Sequence, residues 1–126
     1  MLAVIAGLTD GGLRDARAQH ASLLAVRPKA HVLDDATVAR LQRVTADSLD
    51  WCDVYDEQLQ RWRAGRLTAA QTLEVDRLVQ VTSEARTVHT QILAVADELA
   101  QGTIERQLAK SDIELGLEYV LGRHRP

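Results

Sequence analysis

Phenylalanine is absent from this 126-residue chain, and two tryptophans and two tyrosines supply all of its aromatic side chains. The 46% hydrophobic content therefore rests on Leu, Val and Ala. These residues suit interdigitated helices better than a sheet, which draws more on aromatic and β-branched side chains. A single cysteine, Cys52, excludes an intrachain disulfide and a multi-cysteine metal site. It also fits a reducing, cytoplasmic setting. Concentrated positive charge is lacking too. The net charge is −3, with a small positive excess before residue 46 and a negative one after it. Binding to nucleic acid through phosphate neutralisation calls for a basic patch, so it is not expected.

No apolar run approaches the ~20 residues needed to span a bilayer. The opening stretch, Met1 to Leu8, has no basic residue before its short apolar segment, unlike an export signal. It is expected to be a packed segment, or residues preceding the true start of the chain, and no membrane association is expected. Gly11-Gly12 lacks the lysine and the preceding strand of a phosphate-binding loop.

What the chain does contain is two long periodic runs. Val38, Leu41, Thr45, Ser48, Cys52, Tyr55, Leu59 and Trp62 recur at steps of three and four, as do Leu78, Val81, Ala85, Val88, Ile92, Val95 and Leu99. Such spacing keeps each set on one stripe of a helix. Asp34 or Asp35 can cap the first helix, with Leu33 and Val38 as a hydrophobic staple. Gly65 ends it. Thr68-Ala69-Ala70-Gln71 matches a capping box for the second. The pattern predicts an all-α, bundle-like single domain built on a long antiparallel hairpin, residues 35–64 and 69–101.

The flanks are read in the same way. Thr9-Asp10-Gly11-Gly12 signals a turn, followed by an N-terminal helix from Leu13 to Val26. Pro28 disfavours helical backbone at the residue before it and so ends that helix. After Gly102, Thr103 and Ser111-Asp112-Ile113-Glu114 look like two helix starts. They predict two short helices, 103–110 and 112–121, with Gly122 as the stop. Arg123, His124 and Arg125 then place positive charge at a helix C-terminus. This apolar C-terminal segment is expected to dock near residues 88–100, where Ile92-Leu93-Ala94-Val95-Ala96 is apolar all round.

Side chains capable of chemistry do not converge. Asp47, Asp50, Asp53, Asp56 and Glu57 form an acidic cluster, but most of it falls opposite the Thr45–Cys52 face and reads as a solvated surface. His20, His31, His89 and His124 show no metal-ligand spacing. His89 flanks the apolar stripe and reads as a structural histidine. Cys52, with Asp50, Asp53 and Asp56 around it, lacks the cationic neighbour of a reactive thiol. No catalytic set, metal site or cofactor is expected.

The scarce aromatics are candidate interface anchors. Trp51, Tyr55 and Trp62 lie on the first long helix, Arg63 and Arg66 at the hairpin tip, and Leu115 and Tyr119 near the C-terminus. The leading expectation is a non-enzymatic helical module that binds a protein partner or itself, as a homodimer. Two rival readings remain. One is a DNA-associated regulator, in which the C-terminal helix pair resembles a helix-turn-helix. Asp112, Glu114 and Glu118 count against it, because they would repel phosphates. The other is a small metal-dependent enzyme built on the acidic helix.

Overall fold

The computed structural model describes residues 1–123, apart from the side chains of residues 115, 118, 119, 122 and 123. Among the described residues there is no strand. The helices are α1 (Leu2–Val26), α2 (Asp35–Arg63), α3 (Ala69–Leu99) and α4 (Ile104–Arg123), with a 3₁₀ segment (Arg27–Val32) between α1 and α2. No helix among these residues is long and apolar enough to cross a membrane.

The predicted hairpin is present as α2 and α3. Asp34 caps α2 by accepting from the Thr37 N–H at 2.7 Å. Thr68 and Gln71 close the capping box of α3 from both sides, at 2.9 and 3.1 Å. Gly65 follows α2, but no glycine takes a left-handed conformation. The helix ends instead through a tight turn, with the Gly65 N–H donating to the Trp62 carbonyl.

Polar pairs between helices show the directions of packing. Gln42–Asp97, Asp53–Arg86 and Arg63–Asp76 link α2 to α3. Numbers fall on one side as they rise on the other, so the two helices are antiparallel. Asp10–Arg77, Arg17–Glu84 and Arg27–Glu98 link α1 to α3 with both numbers rising, so these two run parallel. The Arg77 guanidinium donates to both Asp10 and Glu74 and holds each carboxyl below its usual range. All these pairs are solvated and each adds little net stability. Their regular spacing instead reports the register.

The core forms where three stripes meet. Each follows a heptad: Thr9 and Ala16 in α1; Val38, Thr45, Cys52 and Leu59 in α2; Leu78, Ala85, Ile92 and Leu99 in α3, all buried. It divides into three layers along the bundle. Leu59, Val75 and Leu78 form the layer at the hairpin tip, joined by Leu2, Ile5 and Ala6 of α1. Leu13, Cys52 and Ala85 form the middle. Val38, Val95 and Leu99 form the far end, with Leu23 and Leu33 against them.

Three expectations require correction. The Thr9-Asp10-Gly11-Gly12 turn does not exist, because α1 is continuous from Leu2 and not from Leu13. Burying Leu2, Ile5, Thr9 and Leu13 outweighs the helix penalty of the glycines, roughly 1 kcal/mol each. The Thr9 hydroxyl donates to the Ile5 carbonyl at 2.9 Å, within the helix. A Cβ built on Gly11 meets nothing within 4 Å, so no close approach requires the glycine. Gly11→Ala is therefore expected to stabilise the fold by about 0.5–1 kcal/mol, read as a rise of a few degrees in Tm by calorimetry.

The two short C-terminal helices are one, α4. Ser111-Asp112-Ile113-Glu114 is a start signal only where the preceding helix has stopped, and no Gly or Pro stops it at Lys110. The helix pair required by a helix-turn-helix is therefore not formed. Gly122 does not stop α4, which runs through it to Arg123, and residues 124 and 125 lie outside the described residues.

Nor does α4 dock along residues 88–100. The second apolar side of α3 is covered by α1, and the first turn of α4 is tied elsewhere. The Ile104 N–H donates to the Leu33 carbonyl at 2.8 Å. The buried Thr103 hydroxyl donates to Asp35 at 2.6 Å, and the Asp35 N–H donates to the Glu105 carboxylate at 2.9 Å. Gly102 permits this crossing, since a Cβ there would sit 3.0 Å from that of Ala30. The element that α4 packs on is mainly the 3₁₀ segment.

Candidate functional site

The middle layer is built from small side chains, and that leaves space. Gly12, Cys52, Thr82 and Ala85 stand one heptad from Ile5, Leu59, Val75 and Leu78 of the layer at the hairpin tip. The result is a cleft of about 190 Å³ between α1 and α2, floored by α3. Leu8, Thr9, Gly12 and Leu13 line one wall. Ser48, Trp51, Cys52 and Tyr55 line the other, and Thr82, Ala85 and His89 form the floor. Leu8 and Trp51 form its rim, 53% and 57% exposed. Trp51 stacks on Tyr55 with ring centroids 5.8 Å apart.

Two polar atoms in this floor are buried without a partner, Thr82 Oγ1 and His89 Nδ1. Thr82 is unlike its neighbours. Thr9, Thr45, Thr72, Thr87 and Thr90 each donate their hydroxyl to the carbonyl four residues back. Thr82 does not, although it is only 1% exposed. His89 is half-buried, and desolvation lowers its pKa below the usual 6.5, so the imidazole is held neutral. Desolvation likewise pushes the Cys52 thiol up, against the weaker pull of Arg86. A protonated thiol is a poor nucleophile.

A pH dependence follows from His89. Below pH 6.5 the unfolded chain takes up a proton that the folded imidazole resists, so stability falls as pH falls through that region. Denaturant titrations at pH 7.5 and pH 5.5 are expected to show the lower midpoint at the lower pH, with a smaller difference in His89→Gln.

The sequence-derived interface residues do not form one patch. Trp51 and Tyr55 border the cleft. Trp62 lies eleven residues further along α2, roughly 16 Å away, half-buried against the Leu59–Val75–Leu78 layer. Arg63 is paired with Asp76, and Arg66 is exposed in the α2–α3 loop. Leu115 and Tyr119 lie in α4, with side chains outside the described residues. In the acidic cluster Asp53 pairs with Arg86 and Glu57 with Arg61, while Asp47 and Asp50 face solvent. Among the described residues, no three His, Cys, Asp or Glu side chains are placed to hold a metal ion.

Thr82 was not singled out by the sequence reading, yet a signal for it existed. Val75, Thr82, His89 and Ala96 recur every seven residues, a second seam beside Leu78, Ala85, Ile92 and Leu99. A polar pair inside such a seam marks the place where packing is interrupted. Comparison with protein-family models, with curated proteins and with solved structures finds no match, so the functional reading rests on the geometry of the chain itself.

Proposed function

We propose that this chain is a non-enzymatic helical assembly module that pairs with a second copy of itself through α4. One observation carries the reading. Leu108, Ile113, Leu117, Val120 and Leu121 are each more than half exposed on a helix that packs mainly on the 3₁₀ segment. Ile113, Leu117 and Val120 share one stripe of α4, at steps of four and three. A contiguous apolar surface of this kind is characteristic of an interaction site.

The charge order of α4 favours a second copy as the occupant. Arg106 and Lys110 precede Asp112 and Glu114, so an antiparallel α4 pair can set these two basic residues of one helix against these two acidic residues of the other. A two-fold axis requires such self-complementarity. Each α4 is 20 residues long, which gives a rod of roughly 30 Å to pair. A cytoplasmic setting suits the lone free thiol of Cys52.

Sedimentation equilibrium across the micromolar range tests the proposal. The expected result is a concentration-dependent dimer. A chain that stays monomeric at high micromolar concentration overturns it.

A further inference from the structure

We infer that the cleft between α1 and α2 is a binding site for a neutral, mainly aromatic small molecule of one or two rings bearing a hydroxyl or carbonyl group. This site is independent of α4 and of any pairing through it. Its size comes first. A protein cavity of about 150 Å³ can take up benzene, so the 190 Å³ here suits a single or fused ring.

The character of the lining sets the chemistry. No charged side chain lines the cleft, so a carboxylate or ammonium would enter without a counter-charge and lose its hydration. The stacked Trp51–Tyr55 pair borders the opening with aromatic surface, against which a flat ligand packs favourably.

The polar floor supplies the specificity. Thr82 Oγ1 and His89 Nδ1 are buried without partners, and each unmade hydrogen bond is a standing cost to the folded chain. They lie one heptad apart, about two turns along the same face of α3. The Thr82 hydroxyl both donates and accepts, and a neutral imidazole offers one donor and one acceptor. Both atoms have almost no free surface in the empty cleft, so a ligand hydroxyl or carbonyl finds a partner at either end of the floor once the Thr82 or His89 side chain rotates toward it. Trapped water would satisfy the polar atoms but would leave the apolar walls wet.

The test uses the full chain with phenol, 1-indanone and 2-naphthol as probes, followed by calorimetry and by amide and side-chain NMR shifts. Saturable one-to-one binding is expected, with the largest shifts at Thr82, His89 and Trp51. Gly12→Leu projects a side chain where a Cβ meets nothing within 4 Å. It is expected to weaken binding by about tenfold or more while the helical circular dichroism is unchanged. Thr82→Val keeps the shape and removes the hydroxyl. It is expected to weaken 2-naphthol by roughly fivefold and to raise the Tm of the ligand-free chain. Absence of saturable binding by all three probes overturns the inference, as does equal binding in both variants and the unsubstituted chain.

Discussion

Leu78→Ala is expected to destabilise the fold by about 2–5 kcal/mol, a fall in denaturant midpoint with the slope unchanged. Leu78 is fully buried at the point where all three bundle helices meet. It packs with Leu59 and Val75 in the hairpin, and Leu2, Ile5 and Ala6 of α1 close over the same cluster. Removing its branched end deletes contacts to each of these helices. Regular helices on three sides cannot collapse far into the gap, so the cost includes the cavity as well as the lost transfer energy. A fall of this size is a large share of the roughly 5–15 kcal/mol typical of a domain. Leu73, five residues earlier on the same helix, is 72% exposed. Leu73→Ala is expected to change stability by no more than about 0.5 kcal/mol. Equal losses at the two positions would contradict the packing of α1 and α2 about α3.

Ile113→Glu combined with Leu117→Glu is expected to leave the monomer intact and to abolish pairing. Both side chains are exposed in the single chain, 65% and 58%, so the substitutions remove almost no intramolecular packing. Thermal unfolding of dilute protein is expected to shift little. In an α4 pair the same positions would be covered, and two carboxylates would be desolvated without partners. Such a penalty weakens dimer formation by about a hundredfold or more, measurable by sedimentation equilibrium. A dimer that persists unchanged would place the interface elsewhere, and loss of helicity in the dilute variant would mean that α4 contributes to the monomer fold. Leu73→Glu is the matched surface control, since Leu73 is exposed but lies on α3.

The hairpin was legible because its signals are local and agree with one another. The Asp34 cap, the Thr68–Gln71 box and the stripes from Val38 to Trp62 and from Leu78 to Leu99 all specify the same two helices. The end of α1 at Val26 also agrees with the position of Pro28, although Arg27 keeps helical backbone and the chain runs on as a 3₁₀ segment. The errors arose where a local signal met a longer-range force. Gly11 and Gly12 do weaken a helix, but the buried stripe through Ile5, Thr9 and Leu13 outweighs them. Ser111 and Glu114 have the spacing of a cap, yet nothing upstream ends the helix they would begin.

The cleft was harder to read than either, because no residue in it is unusual by itself. Cys52 and Thr45 were expected to be buried, and they are. That Gly12, Cys52 and Thr82 fall at one level depends on α1 running parallel to α3 and α2 antiparallel to it. The floor's unpartnered atoms depend on that stacking too.

By itself, then, the sequence determined helical content, the hairpin and its caps, and the absence of the cysteines required for a disulfide. Each of these follows from residue type, count and spacing along a single helix. Only the tertiary structure decided that α1 covers the second apolar side of α3, that Thr103 and Glu105 anchor α4 at the start of α2, and that small residues on three helices meet to leave a cleft. These outcomes turn on which stripes pair and in what register, and pairing is a property of surfaces brought together by the whole fold.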